Sequence, residues 1–150
     1  MTMTATRSVS VLFATPIHGP AVVQFFARFA DAIRESTVSE ETLCPSGMRA
    51  AVARREMLIA TDGERIVAAA RIYRQKKSAS ISLYQFAVDE QYRGRRVLHD
   101  LLRLALPKEV RAICCKSSPI ESYFRKTGWC RTESNANRSV WLLSSTDAHA

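Results

Sequence analysis

The segment 81–106 constrains the fold more than any other part of the chain. A continuous apolar and aromatic strand, Ile81–Val88, leads through a polar turn, Asp89–Gly94, into a helix at Val97–Leu106. Val97, Leu101, Leu104 and Ala105 fall on one side of that helix, the spacing of a face packed on a sheet. Pro107 ends it. So uniform an apolar run predicts a strand buried on both faces. Alternation along it sets Tyr84, Phe86 and Val88 on one face and Gln85 on the other. A strand that turns directly into a helix gathers unpaired N–H groups and the positive helix end at one point, an arrangement that favours an anion.

The charge points the same way. Lys and Arg number 22 against 14 Asp and Glu, a formal +8, and ten of the basic residues lie between Arg71 and Arg111 with only four acids. Arg93, Arg95 and Arg96 crowd around Gly94. Such density suits a phosphate-bearing ligand, with a solvated basic turn as the plain alternative.

The remainder reads as one compact domain over 1–150, since 150 residues at 47% hydrophobic can bury a core unaided. Ser8–Thr15 is strand-like, and Pro20–Arg34 is an amphipathic helix carrying Phe25, Phe26 and Phe29. A second helical stretch runs from Ser39 or Glu40 to Arg55, interrupted at Pro45 and Gly47. Met57–Ala60 and Arg65–Tyr73 form a hairpin about Asp62-Gly63, read as the two left-handed residues of a type I′ turn. Lys76-Lys77-Ser78 turns the chain again into Ile81–Val88. Ala112–Cys115 is a short strand, Pro119–Lys126 a short helix stopped at Gly128, and Trp129–Arg131 with Ser139–Leu143 a final strand pair. The order is βααβββαβαββ.

Apolar runs such as Val9–Ala14 are too short to span a membrane. Cys44, Cys114, Cys115 and Cys130 lack metal-ligand spacing and read as reduced, mostly buried thiols. Together with the missing signal-peptide pattern, they predict a cytoplasmic protein without a metal.

The run Phe86–Leu102 resembles the pyrophosphate-binding motif of the GNAT N-acetyltransferase superfamily, and Tyr123-Phe124-Arg125-Lys126-Thr127-Gly128-Trp129 resembles its second motif. The resemblance implies an α/β (α+β) fold with a mixed, mostly antiparallel sheet, splayed at its centre and flanked by helices. It implies acetyl-coenzyme A as co-substrate, lying between Ile81–Val88 and Ala112–Cys115. Main-chain groups of Ala87 and Val88 would pair the pantetheine arm, and Arg93, Gly94, Arg95, Arg96, Val97 and Leu98 would surround the diphosphate. Aligned on Leu101-Leu102, the family's arginine falls at Arg93, and Arg96 and Leu98 replace its two small residues. A second register starts at Gln91 and keeps Gly94. The family's tyrosine acid falls at Phe124, which would adjoin the cofactor, leaving Tyr123 or Tyr84 as the catalytic acid.

No carboxylate base stands on these strands, so water relay is the default. Asp31, Glu35, Glu40 and Glu41 would favour a cationic acceptor, with a solvated helix end as the alternative. His18 and His99 read as surface groups. The implied activity is transfer of an acetyl group to an amine of a small molecule or protein by direct attack on the thioester. The alternative is a catalytically degenerate basic module binding nucleic acid or a protein partner. It is suggested by the charge with Tyr73, Tyr92 and Trp129 near arginines, although no nucleic-acid motif is present. A homodimer remains open.

Overall fold

A computed structural model describes residues 9–31, 33, 44–76, 80–105, 109–116 and 118–144. Seven strands, β1 (Val9–Phe13), β2 (Met57–Asp62), β3 (Arg65–Arg74), β4 (Ser80–Val88), β5 (Glu109–Cys115), β6 (Cys130–Ser134) and β7 (Arg138–Ser144), form one sheet in the order β1-β2-β3-β4-β5-β7-β6. All neighbours are antiparallel except β4 and β5. That parallel pair needs a crossover, which α3 (Val97–Leu104) supplies.

Four helices flank the sheet among the described residues. α1 (Gly19–Ala27) and α2 (Pro45–Ala53) cover one face, where Val22, Phe26 and Met48 meet Ile59 and Ala69. α3 and α4 (Pro119–Lys126) cover the other, where Leu98, Leu101 and Phe124 meet Leu58, Ala70 and Trp141. Strand alternation divides β2 and β3 between the two cores, so both strands are buried on both faces. Each fully buried large side chain contributes about 1.5–3 kcal/mol.

The structure corrects several expectations. β4 is not buried on both faces: Ile81, Leu83, Gln85 and Ala87 are buried, whereas the residues between them are half-buried. They border the cavity described below. α2 begins at Pro45, whose fixed φ and missing N–H suit a first helical position, and it runs through Gly47 without the expected interruption there. In the β2–β3 hairpin Asp62 pairs with Arg65, leaving Gly63-Glu64 as the loop with Gly63 alone left-handed at φ 63°. Two such residues are not needed. Cys44 and Cys130 are exposed, and of the four cysteines only Cys114 is buried. The expected helix start near Ser39, the Lys77-Ser78 turn residues, the Pro107 stop and Glu35, Glu40 and Glu41 lie outside the described residues.

The turn after β4 is fixed by three contacts that do not depend on its sequence neighbours. Asp89 is buried and receives Arg65 Nη2 at 2.6 Å and Arg28 Nη2 at 3.3 Å, while its own turn supplies the Gln91 N–H. Burial pushes its carboxyl pKa up, but these donors and cations outweigh burial and hold it below the usual carboxylate value. Tyr92 is buried and its hydroxyl donates to the Asp62 carboxylate on the hairpin. Tyr92→Phe is therefore expected to lower stability by about 1.5–3 kcal/mol, the range for a hydrogen bond to a charged group. Urea denaturation of both proteins measures it.

Candidate functional site

The site begins with an irregularity in β4. Arg71 pairs with Gln85 and the next β3 residue, Ile72, pairs with Leu83, so Tyr84 is an extra residue. Such a bulge breaks the face alternation. Phe86 therefore joins Leu83 on the α3/α4 side, with ring centroids 5.7 Å from Tyr123 and 6.0 Å from Phe124. Tyr84 turns to the α1/α2 side with Gln85, its ring 5.0 Å from Tyr73 and 4.6 Å from the Arg71 guanidinium carbon. The expected grouping of Tyr84 with Phe86 and Val88 fails for that reason.

Pairing between β4 and β5 stops at Leu83–Ala112, yet β5 continues to Cys115 and β4 to Val88. The two strands have diverged. Asp89 N donates to Val67 O at 2.8 Å, which fixes the antiparallel alternation so that the backbone groups of Phe86 and Val88 point into the gap. On that open side Arg93 Nε donates to Val88 O at 3.1 Å.

At the head of the gap stands the α3 N-terminus. Its first hydrogen bond inside the helix runs from Asp100 N to Arg96 O, so the N–H groups of Val97, Leu98 and His99 have no helical acceptor. The cap residue, Arg96, makes no side-chain cap hydrogen bond and adopts φ 59° and ψ 26°. This is glycine's conformation in an arginine, at a cost of about 1–2 kcal/mol.

Gap and helix end open into one cavity of about 600 Å³. Of the sequence-predicted residues, Tyr84, Ala87, Val88, Arg93, Gly94, Arg96, Val97, Leu98, Tyr123 and Phe124 border it. Arg95 does not border it, and its guanidinium lies 5.6 Å from the Tyr92 ring centroid. Leu98 is buried in the α3/α4 core while touching the cavity. Burial pushes the Tyr123 hydroxyl up to about 12, although Arg96 and Thr127 act against it. Cys114, also at the cavity, is pushed up by burial and held as a thiol.

Gln85, His99 and Lys126 border the cavity as well and were not anticipated there. Contrary to the surface reading, His99 is 1% exposed, and its Nε2 lies 3.1 Å from Thr127 O. Since a carbonyl only accepts, Nε2 carries the hydrogen and Nδ1 is a bare lone pair without a partner. Burial first, then the Arg96 cation, lowers its pKa. Of the aromatics near arginines, Tyr92 and Trp129 are 1% and 4% exposed and closed to base stacking.

No protein-family model and no curated protein sequence matches this chain. Solved structures do. An acetyltransferase of the GNAT family from Listeria monocytogenes superposes with a TM-score of 0.71 at 12% identity, over 95% of this chain and 98% of the other. The PaiA N-acetyltransferase of Thermoplasma acidophilum, in complex with coenzyme A, gives 0.66 at 12% over 91% and 99%. An acetyltransferase from Salmonella typhimurium with its cofactor acetyl-CoA gives 0.65 at 10% over 91% and 94%. The fold is the GNAT fold. The divergence of β4 and β5 and the α3 cap occur where the sequence motifs place them.

His99 also sets an acid sensitivity. Its folded pKa is depressed, so as pH falls below about 6.5 the unfolded chain takes up a proton that the native state resists, and stability declines. Thermal unfolding from pH 7.5 to 5.0 is expected to show this fall, and His99→Gln should flatten it.

Proposed function

We propose that the protein transfers an acetyl group from acetyl-coenzyme A to an amine. One observation carries the reading: an uncapped helix end and a strand with unpaired backbone groups meet in a single cavity of about 600 Å³. Those groups match an extended ligand with amides along one half and a diphosphate at one end. The fit extends to charge, since Arg93, Arg96 and Lys126 border the cavity and no Asp or Glu does so among the described residues.

When bound, acetyl-coenzyme A supplies an acyl thioester already activated for attack by an amine. The α3 N–H groups of Val97 and Leu98, with Arg96, hold the diphosphate. Phe86 and Val88 present main-chain groups to the pantetheine amides. Tyr123 borders the cavity and keeps its proton on Oη at neutral pH, so it is the group assigned to protonate the leaving thiolate. Phe124, at 2% exposed, packs against Trp129 at 4.6 Å between centroids and serves to hold Tyr123 in place. Positioning supplies most of the rate, because a held amine and carbonyl need no bimolecular encounter.

Isothermal calorimetry with acetyl-coenzyme A tests the binding half. Arg96→Ala is expected to weaken binding about 10- to 150-fold, equivalent to a charge-assisted hydrogen bond of about 1.5–3 kcal/mol. Arg95→Ala should change it less than about threefold, since Arg95 lies off the cavity. Absence of binding at millimolar ligand would overturn the proposal.

For the chemical half, Tyr123→Phe should lower kcat by about 10²- to 10⁴-fold with little change in acetyl-coenzyme A affinity. The parent enzyme's activity should show no alkaline loss from Tyr123 below about pH 11. A Tyr123→Phe variant as fast as the parent would remove Tyr123 from the role.

A further inference from the structure

Arg71 is 6% exposed in the middle of β3, and its Nε and Nη1 have no hydrogen-bond partner. Of its nitrogens, Nη2 alone is used, donating to Tyr73 Oη at 2.8 Å. No carboxylate pairs with it among the described residues. Across the ladder stands Gln85, 3% exposed, with both amide atoms unpartnered. A buried cation and a buried amide left unmatched are costly, so a partner is expected for them.

A second source of positive charge converges on the same place. The first turn of α2 packs on the guanidinium, and a Cβ on Gly47 would lie 3.3 Å from Arg71 Nη1. The absence of a side chain there permits this approach. The cap residue of α2, Cys44, makes no side-chain cap hydrogen bond, and its first turn carries no acid. A cation set against a positive helix end repels it, and an anion held beside the pair, at the edge that the Tyr84 ring covers, would reverse the sign of both interactions.

We infer that Arg71, Gln85 and the α2 N-terminus form a site for the carboxylate of the acceptor, which makes the acceptor an amino acid. The inference rests on the acetyltransferase reading for its word "acceptor". The unpaired donors call for a group with several lone pairs and a negative charge, and a monoanion costs less to bury than a phosphate dianion. The remaining acceptor, Gln85 Oε1, suits the N–H of the amine. Gln85 borders the cavity, as do Phe29, Ile33 and Tyr84, so the apolar side of such a molecule has a surface to meet. Arg71 itself does not border the cavity: Tyr84 stands at the border with its ring over the guanidinium, so entry requires that ring to turn aside.

The test compares 3-phenylpropanoate, 3-phenylpropanamide and phenyl phosphate as ligands of the full chain by NMR line broadening, with and without coenzyme A. It then compares L-phenylalanine with L-phenylalaninamide as acetyl acceptors. The carboxylate is expected to bind at least tenfold tighter than the amide and the amino acid to have a KM at least tenfold lower. Arg71→Met should reduce both ratios to about threefold or less while affinity for acetyl-coenzyme A stays within twofold. Arg71→Gln replaces it should the first variant not fold. Equal binding of acid and amide, tighter binding of phenyl phosphate, or a preference that survives both variants would overturn the site. Coenzyme A binding is read separately, so carboxylate binding without coenzyme A binding would defeat the acetyltransferase reading and leave the anion site standing.

Discussion

One extra residue in β4 governs the site. A strand paired normally on both edges would have satisfied its neighbours' backbone groups and left no gap. The bulge at Tyr84 turns β4 away from β5 beyond Leu83, and the backbone of Phe86 and Val88 becomes available to a ligand. The same shift carries Tyr84 and Gln85 to the opposite side of the sheet, next to Arg71. A single backbone irregularity thus creates the cleft and populates its far side.

The anion-binding end depends on a different device. Asp89 draws together Arg28 from beyond α1 and Arg65 from β3, and Tyr92 reaches Asp62, so the turn is held from behind while the open N–H groups of the α3 N-terminus follow it. In this setting an arginine at position 96, where the resembled motif has glycine, keeps the left-handed backbone that glycine would adopt. Arg96 tolerates the left-handed region because the contacts around the turn over-determine it. The guanidinium it gains is where a diphosphate would need a countercharge.

Much of the fold was legible because punctuation marks it. Pro119 and Gly128 bound α4, Gly63 marks the hairpin, and the strand–turn–helix order around Gly94 locates the helix end. What escaped was whatever depends on a partner distant in sequence. No residue type announces a bulge, so strict alternation along β4 gave the wrong face for Tyr84. His99 escaped because the apolar stripe drawn through Val97, Leu101 and Leu104 is too narrow. The structure buries Leu98, His99 and Leu102 as well, where α4 packs against them. Arg71 was counted in a general basic excess, and only its burial distinguishes it from the exposed arginines around it.

The base remains the open half of the chemistry, and the physical setting favours doing without one. Bordering the cavity are three cations, a neutral histidine and apolar rings, with no carboxylate among the described residues. A charged ammonium entering such a space loses hydration and gains no counterion for itself, so its pKa falls. In the proposed transfer its proton would then leave to solvent before attack, and a dry, shaped pocket would stand in place of a basic side chain. A carboxylate on the same molecule, neutralised by Arg71, would let the acceptor enter without carrying net charge into that pocket.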